Sequence, residues 1–544
     1  MSTLSSVRRS NSHSLRLVGS FISLFALLFG ATGWAQQSGG LDTATYGPYS
    51  GLAYGQFPPT TEQQIRVHDA IVLPDDRVVA GATCVAVGAS PAGNRFCLVE
   101  WSKGGSTVNL HIGPTAMTRV NADAGGAIAR QPDGKLVLAA PCKSTPIQTV
   151  SELCAVRFNA NFSVDTSFAV GLGNVAPSGY LSNNSYANAV AIQPDGKIIV
   201  AGQCGGPSGT LMCAARFLSD GQDDSSFGDS INLRFIPGTY TAAPFDRASR
   251  IALSPAGQIY LGGQCKQDAG GLSRACVSRL NADGSIDPNI SIGAGKPLTL
   301  PLLSGGSASD SVFDMRVQAN GEFVFAGTCF NLGSGTNVPC ALRMGTPNAG
   351  GFTPGTWYLG ATVSTGTSIL REPAAGGAFS IRRISLQPDG KMLALLKDEA
   401  SNTLYRVRRY DEDGSRDANW AEPSFDLNAA TDGASYATAL ALTQQSTGSV
   451  MVAGFTGGGA SGVGQARVLR LENRTNAGNK CNTDIDGDGI VSPATDGLLL
   501  SRAAAGMTGN AVIANALGAG AKRNTWPLIR DYLITQCGMT NVMP

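Results

Sequence analysis

The sequence of 544 residues predicts a mainly β fold, a seven-bladed β-propeller followed by a small α-helical module. Three observations predict it. One turn phrase recurs seven times, five of these repeats carry a pair of closely spaced cysteines, and the chain holds 69 glycines and 27 prolines, as tight turns between short strands require. A repeat of about sixty residues has room for four strands, and four-stranded units arranged in a ring form a propeller.

The turn phrase is clearest at residues 193–197, which read Gln-Pro-Asp-Gly-Lys and precede an apolar run at residues 198–201. Proline fixes φ early in a turn, and glycine accepts a positive φ. The phrase therefore predicts a tight turn between two strands of a hairpin. Equivalent phrases begin at Leu73, Gln131, Ser254, Gln318, Gln387 and, in the most altered form, Gln445.

The cysteines indicate an oxidising compartment, because all twelve follow residue 35 and can be grouped in pairs. In five repeats one cysteine follows the second strand and another begins the third, with eight to twelve residues between them. Directly facing positions of antiparallel strands lie about 5.5 Å apart, which a disulfide can span. We therefore predict the bridges Cys84–Cys97, Cys142–Cys154, Cys204–Cys213, Cys265–Cys276 and Cys329–Cys340.

Residues 1–35 are predicted to be a secretory signal peptide. Arg8 and Arg9 precede an apolar run at residues 17–29, and cleavage is expected after Ala35. The run is shorter than the roughly 20 residues that cross a bilayer, so no membrane span is predicted. A formal net charge of +1 gives no electrostatic reason to expect a nucleic-acid partner. The protein is expected to be secreted, periplasmic or held at the cell surface.

The ring of repeats is predicted to close with a strand from the N-terminal side. A third strand ends in an arginine, as at Arg216, and a fourth follows, as at residues 231–235. The seventh repeat ends near Leu471 without a fourth strand. Residues 46–57 stand where a fourth strand would precede the first repeat, so we expect them to complete the last blade and cover its edge. The propeller would then span residues 36–472.

The repeats resemble those of the delta-60 repeat family. The resemblance rests on Gln-Pro-Asp-Gly-Lys at residues 193–197, on Arg-Leu-Asn-Ala-Asp-Gly-Ser at residues 279–285 and on Asp-Ser-Ser-Phe at residues 224–227. It covers most of the chain between residues 55 and 475. The resemblance implies an extracellular β-propeller and no particular chemistry.

A calcium loop is predicted after a linker at residues 473–480. Carboxylates alternate along the chain, a glycine follows, and a backbone carbonyl comes next, which is the layout of an EF-hand loop. Calcium is a hard cation that prefers oxygen ligands. The predicted ligands are Asp484, Asp486, Asp488, the carbonyl of Ile490, and Asp496. The last of these stands one position late, so Thr495 is an alternative.

Residues 481–544 resemble a dockerin module. The resemblance rests on Asp-Ile-Asp-Gly-Asp-Gly-Ile-Val at residues 484–491, which precedes a helix containing consecutive leucines. A second helix is predicted from Thr525 to Gln536, and a disulfide between Cys481 and Cys537 would join the ends of the module. Dockerins carry two calcium loops and this sequence carries one. The resemblance therefore implies calcium-dependent folding more than it implies binding to a cohesin.

The leading functional hypothesis from the sequence is a non-enzymatic extracellular protein that binds an unknown protein or carbohydrate. Neither a nucleophile elbow nor a multi-histidine metal motif is present, and His68 and His111 stand alone in the exported chain. The alternatives are a polysaccharide hydrolase or lyase and a surface adhesin. The aspartates of the Pro-Asp-Gly turns recur and are expected to be turn residues, whereas a catalytic group should depart from the repeat. No such departure is evident from the sequence alone.

Overall fold

The computed structural model describes most of the propeller repeats and most of the C-terminal module. The described residues are 52–54, 62–86, 94–114, 118–119, 126–143, 151–169, 174–175, 183–206, 209–228, 233–236, 246–254, 256–266, 273–290, 297–299, 311–318, 322–331, 336–348, 351–354, 369–371, 379–387, 389–412, 414–422, 424–427, 436–446, 448–457, 465–471, 484–488, 490, 492–535, 539 and 542. The predicted signal peptide, the predicted linker and the predicted Cys481–Cys537 bridge lie outside them.

The described repeats form seven antiparallel blades, which one short strand, β1 (Leu52–Tyr54), precedes in the chain. Blade 1 consists of β2 (Glu62–Val72), β3 (Val78–Ala86), β4 (Asn94–Trp101) and β5 (Val108–Ile112). The next strand, β6 (Thr118–Arg119), links blade 1 to blade 2. Blade 2 consists of β7 (Ala127–Arg130), β8 (Leu136–Lys143), β9 (Glu152–Phe158) and β10 (Asn174–Val175). Blade 3 consists of β11 (Asn183–Ile192), β12 (Ile198–Gly206), β13 (Gly209–Phe217) and β14 (Leu233–Phe235).

The remaining blades follow the same order of strands. Blade 4 consists of β15 (Arg247–Leu253), β16 (Ile259–Lys266), β17 (Ser273–Leu280) and β18 (Leu298–Thr299). Blade 5 consists of β19 (Ser311–Val317), β20 (Phe323–Asn331), β21 (Thr336–Asn348), β22 (Gly351–Pro354) and β23 (Ile369–Arg371). Blade 6 consists of β24 (Phe379–Leu386), β25 (Met392–Asp398), β26 (Leu404–Tyr410) and β27 (Ser424–Asp426). Blade 7 consists of β28 (Tyr436–Gln444), β29 (Val450–Gly457) and β30 (Gln465–Leu471).

The blades close into a ring through their first strands and through β1. The first strands β2, β7, β11, β15, β19, β24 and β28 each contact the next, and β28 contacts β2. Strand β1 pairs antiparallel with β30, where Ala53 lies opposite Val468. Blade 7 therefore takes its fourth strand from the N-terminal side, as predicted, and the edge of β30 is covered. The predicted seven-bladed propeller is confirmed.

Apolar side chains fill the space between neighbouring blades. Between blades 7 and 1, Val67, Val99 and Trp101 pack with Ala453 and Val468, and all five are completely buried. Successive residues of a strand point to opposite faces of its sheet. Each blade therefore contributes to two cores, one on either side, and no blade has a core of its own.

The five disulfides predicted within repeats are present, but their geometry differs from the prediction. Their Cα–Cα distances are 5.8–5.9 Å. In blade 3, Cys204 lies opposite Leu211 and Cys213 lies opposite Gly202, and the same two-residue offset recurs in the other four bridges. The cysteines are diagonal neighbours and do not face each other directly, because the right-handed twist of adjacent strands brings one diagonal close.

The recurring polar residues of the repeat form a set of bonds that we call the Arg–Asp anchor. In blade 3, Arg216 pairs with Asp224 at 2.7 Å, and Lys197 of the turn phrase lies 3.2 Å from the same carboxylate. The Arg216 guanidinium also donates to the side chain of Gln193, the first residue of that phrase, at 3.3 Å. The anchor thus ties the turn between the first two strands to the third strand and to the segment that follows it.

In blades 2 and 3 the anchor arginine also bonds to the next blade. The Arg216 guanidinium donates to the carbonyl of Ala282 in blade 4 and lies 4.6 Å from the centre of the Phe227 ring. That ring packs on Gly284, where an added Cβ would stand 2.5 Å from it. Equivalent anchors join Arg157 with Asp165 in blade 2 and Arg409 with Asp417 in blade 6. The residues that define the repeat in the sequence are therefore those that hold one blade to its neighbour.

We expect acid to destabilise the propeller between about pH 4 and pH 2. Burial raises the pKa of Asp224, but hydrogen bonds from Ser226 and the charge of Arg216 outweigh it and lower the pKa to about 2. Asp417 also has a pKa lowered to about 2, since Lys391 and Arg409 outweigh its burial. A carboxyl whose folded pKa is lowered stabilises the protein above its unfolded pKa, and this contribution is lost as pH falls through the folded pKa.

Each of these two carboxyls contributes about 2 kcal/mol at neutral pH. Denaturant unfolding at pH 7, pH 4 and pH 2 measures the effect as a falling free energy of unfolding. The same free energy at all three pH values would contradict the prediction.

In its described residues the C-terminal module contains three helices, one more than predicted. They are α1 (Asp496–Ala504), α2 (Asn510–Ile513) and α3 (Trp526–Thr535). Helix α3 begins directly after Thr525, whose carbonyl accepts from the N–H of Ile529, so the predicted start is confirmed. The helices share a small core that includes Leu499, Val512 and Leu533. Of the helices in the described part of the chain, none has the length and apolar character of a membrane span.

Candidate functional site

Three carboxylates of the predicted calcium loop converge in the structure. One oxygen from each of Asp484, Asp486 and Asp488 lies within 4.8 Å of those of the other two. Asp486 is completely buried. Carboxylates this close repel one another, and a hard dication with oxygen ligands at about 2.3–2.6 Å would bridge them. The donor set therefore fits Ca²⁺.

The backbone of the loop fixes the direction of each carboxylate. The N–H of Gly487 donates to Asp484 Oδ1 at 2.7 Å, that of Asp488 to Asp486 Oδ1 at 3.2 Å, and that of Ile490 to Asp488 Oδ1 at 2.7 Å. Gly487 has a φ of +75°, which glycine adopts without strain. Because the side chains are held in place beforehand, little ordering entropy remains to be lost on binding. The Ile490 carbonyl as a ligand stays a prediction.

A second segment, at residues 518–523, packs against the loop and was missed by reasoning from the sequence. The N–H of Gly518 donates to Asp486 Oδ2 at 2.6 Å. A Cβ added to Gly518 would stand 1.7 Å from Asp488 Oδ2, so a side chain at this position would displace the Asp488 carboxylate. The signal for it was two glycines, Gly518 and Gly520, which ordinary turns also contain.

Arg523 fastens this second segment to the loop. Its side chain donates to the carbonyls of Asp484 and Ile485 at 2.6 and 2.7 Å, and its backbone N–H donates to the carbonyl of Asp486 at 2.7 Å. The guanidinium lies 3.9 Å from the centre of the Tyr532 ring in α3. One side chain therefore links the acidic loop to the last helix of the module.

Asp496, the predicted closing ligand, lies outside the group of converging carboxylates. It is the first residue of α1, and its carboxylate accepts from the backbone N–H groups of Ile485 and Ser492. The hydroxyl of Thr495, the alternative ligand, also donates to it at 3.0 Å. An acid at the start of a helix interacts favourably with the helix dipole, so Asp496 braces the loop. Its contact with calcium stays a prediction.

His68 and His111 are bonded within the blades, as expected of ordinary strand residues. His68 is buried, with Nε2 2.8 Å from Thr83 Oγ1. His111 lies 3.0 Å from Glu100, and its ring stacks on Phe162 at 4.8 Å. Both contribute to the packing of the propeller.

One position on the first strands departs from the repeat, and we call it the inner-strand position. In each blade it is the residue that pairs with the fourth residue of the second strand. Blades 1 to 7 fill it with Asp69, Ala127, Ala189, Arg250, Asp314, Arg383 and Ala441. Three blades carry alanine and four carry a charge. Each of these residues stands four positions before its turn phrase, a signal that the sequence contained.

Asp314 connects the charged inner-strand residues. It is completely buried, Arg250 of blade 4 donates to its Oδ1 at 3.0 Å, and the N–H of Ile384 in blade 6 donates to its Oδ2 at 2.9 Å. Burial raises the pKa of Asp314, but the charges of Arg316, Arg250 and Arg383 outweigh it and lower the pKa. An ionised carboxylate therefore links three blades where their first strands surround the propeller axis.

Three segments of the propeller match a family model. Residues 131–168, 193–227 and 255–289 match the family described as "Domain of unknown function (DUF5122) beta-propeller". These segments are similar to DUF5122 propeller repeats. They correspond to repeats two, three and four, and they support the predicted propeller repeat family. No curated protein matches the chain.

Solved propeller structures are similar to the chain in fold. The polysaccharide lyase Uly1 has 10% identity and a TM-score of 0.40, over 82% of this chain and 95% of its own. An ulvan lyase has 8% identity and a TM-score of 0.44, over 76% and 96%. Sqt1 of Chaetomium thermophilum, bound to the N-terminus of the ribosomal protein L10, has 12% identity and a TM-score of 0.41, over 77% and 98%. Likeness at this level concerns the fold alone.

These structures correct the expectation of a non-enzymatic protein. That expectation excluded catalysis because familiar nucleophile and histidine motifs are missing from the sequence. Two of the similar propellers are polysaccharide lyases, so the exclusion was wrong. The fold by itself does not determine a function, and the function has to be argued from the groups of this chain.

Proposed function

We propose that the protein is an exported calcium-binding propeller protein that takes an extracellular polysaccharide as ligand or substrate. One observation carries the calcium part, the convergence of Asp484, Asp486 and Asp488 within 4.8 Å. Export is supported by the predicted signal peptide and by five disulfides, since such bonds persist in oxidising compartments.

Calcium would serve to fold the module. Neutralising the three carboxylates removes their mutual repulsion and holds the loop against residues 518–523, which Arg523 connects to α3. Because such a site is not formed in the unfolded chain, the free energy of binding adds to the free energy of folding. The module would therefore be more stable with calcium than without it.

The polysaccharide part is supported by the charged inner-strand residues. The anchors, the disulfides and the apolar clusters are all accounted for by the assembly of the blades. The assembly of the blades does not account for the charges of Arg250, Asp314 and Arg383, because three blades carry alanine at the same inner-strand position and still join the ring. Fixed polar groups that converge at one place suit a ligand that carries several polar groups, as a sugar chain does.

We expect one Ca²⁺ to bind per chain and Asp486→Asn to weaken binding at least about tenfold, because a carboxylate ligand is lost. Calorimetric titration of Ca²⁺ into the chelator-treated full-length protein measures the affinity. Asp531→Asn in α3 removes the same charge outside the loop and should keep the wild-type affinity. Failure of the wild-type protein to bind Ca²⁺ would overturn the calcium part of the proposal.

A panel of neutral and acidic polysaccharides tests the proposal that the protein takes a polysaccharide as ligand or substrate. Retardation in affinity electrophoresis reports binding, and the release of new chain ends reports cleavage. We expect at least one class of polysaccharide to bind. If the folded, calcium-loaded protein neither bound nor cleaved any of them, the polysaccharide part would be wrong.

A further inference from the structure

The charged inner-strand residues carry more hydrogen-bond donors than the described residues satisfy. Arg250 is only 8% exposed; its Nε binds Asp314 and its Nη1 donates to the carbonyl of Asn188, but its Nη2 is buried and has no partner. The Nη1 of Arg383 donates to the carbonyl of Arg382 at 2.7 Å, and its Nε is buried without a partner. A buried donor without a partner loses more free energy by desolvation than a hydrogen bond typically contributes to stability. An acceptor that bound to these donors would therefore be stabilised.

Among the residues that the structure describes, positive charge is in excess at the same place. The guanidinium groups of Arg250, Arg316 and Arg383 interact with the carboxylates of Asp314 and Asp69, three cations with two anions. Both carboxylate oxygens of Asp314 already accept hydrogen bonds, from its own blade and from both neighbouring blades. Burial and the charge of Arg250 lower the pKa of Arg383 to about 9. A further anion would compensate this charge.

Two of the charged inner-strand residues are partly exposed to solvent. Arg383 and Asp69 lie in blades 6 and 1, which are separated in the ring by blade 7, and they interact electrostatically. Both are half-buried, so solvent reaches them. Arg250 is held by hydrogen bonds to blades 3 and 5, and Arg383 is held by a hydrogen bond to the carbonyl of Arg382 in its own strand, so both guanidinium groups are fixed before a ligand arrives.

We propose that a carboxylate or sulfate group of an acidic saccharide binds between Arg250 and Arg383. Guanidinium groups present donors in a plane that matches such oxyanions, and the Nη2 of Arg250 and the Nε of Arg383 are the donors available. The anion completes the hydrogen bonding and the charge balance of the inner-strand residues. This inference rests on the proposed function for its saccharide and specifies an acidic polysaccharide over a neutral one.

The test compares Arg383→Gln with the matched control Arg382→Gln in the calcium-loaded full-length protein. Arg382 is one residue away, pairs with Glu399 at 3.1 Å, and its replacement removes the same charge. Sodium sulfate, glucuronate and glucose are titrated at constant ionic strength, followed by an acidic polysaccharide. We expect sulfate and glucuronate to bind and glucose not to bind. Arg383→Gln should weaken anion binding at least about tenfold, and Arg382→Gln should leave it nearly unchanged.

The outcomes separate this site from the polysaccharide proposal. Binding of the small anions at Arg383 without binding of any polysaccharide would keep the anion site and overturn the polysaccharide part. Equal binding of an acidic polysaccharide by the wild type and by Arg383→Gln would overturn the anion site and keep the polysaccharide part. Melting temperatures of both variants verify that each is folded, and Arg383→Lys, which keeps the charge but loses the planar fork, should bind with intermediate affinity.

Discussion

Deletion of residues 36–56 should lower the melting temperature of the propeller by about 5 °C or more and cause it to associate. The deletion removes β1, whose three residues pair with β30. Backbone N–H and C=O groups of β30 then lose their partners, and blade 7 presents an open edge to another chain. Scanning calorimetry measures the melting temperature, and size-exclusion chromatography measures the association.

A shorter deletion provides the control. Removing residues 36–48 leaves β1 intact, so this variant should melt like the wild-type protein and remain unassociated. If the two deletions behaved alike, pairing of β1 with β30 would not be what stabilises the closed ring.

Asp224→Ala should cost about 3–5 kcal/mol of unfolding free energy, because it leaves the buried Arg216 guanidinium without its carboxylate. The side chains of Arg216 and Asp224 are 4% and 5% exposed and lie 2.7 Å apart. Asp195→Ala is the matched control, since Asp195 lies 3.7 Å from the same Lys197 but is 56% exposed. An exposed pair of this kind is worth at most about 1 kcal/mol. Denaturant unfolding at neutral pH compares the two variants.

A double variant distinguishes the loss of the pair from the loss of packing. Replacing Arg216 by methionine and Asp224 by alanine together removes both charges, and it should cost less than Asp224→Ala alone. If the double variant were the less stable of the two, the anchor would act mainly through the stacking of Arg216 on Phe227 and not through an unpaired charge.

Features fixed by neighbouring residues were predictable from the sequence. The Pro-Asp-Gly turns set the hairpins, their repetition set the number of blades, and the missing strand after Leu471 indicated that residues near Tyr54 would close the ring. The cysteine pairs were predictable as pairs. Their diagonal register was not, because it depends on how strongly the strands of each blade twist.

The candidate sites also combine local features, which were predictable from the sequence, with long-range contacts, which were not. The alternation of Asp484, Asp486 and Asp488 is local, and the structure brings these three together. Contacts between distant segments were not predictable, such as that of Gly518 with Asp486 or of Arg523 with Ile485. The inner-strand position was partly predictable from the sequence. Its residues could be aligned by their distance from the turn phrase, but only the ring of first strands shows that Arg250, Asp314 and Arg383 meet.

The placement of the disulfides has a consequence for the order in which the molecule is assembled. Each bridge joins the second and third strands of one of the first five blades, across 9–13 residues. Loops this short close rapidly, so in an oxidising compartment each of these bridges can form within its own blade, independently of the other blades. By contrast, β1 is made first and finds its partner only when β30 exists. A chain whose bridges form before β1 meets β30 would be oxidised but not yet circular, with a free edge at each end, and in that state it could exchange strands with a second copy of itself.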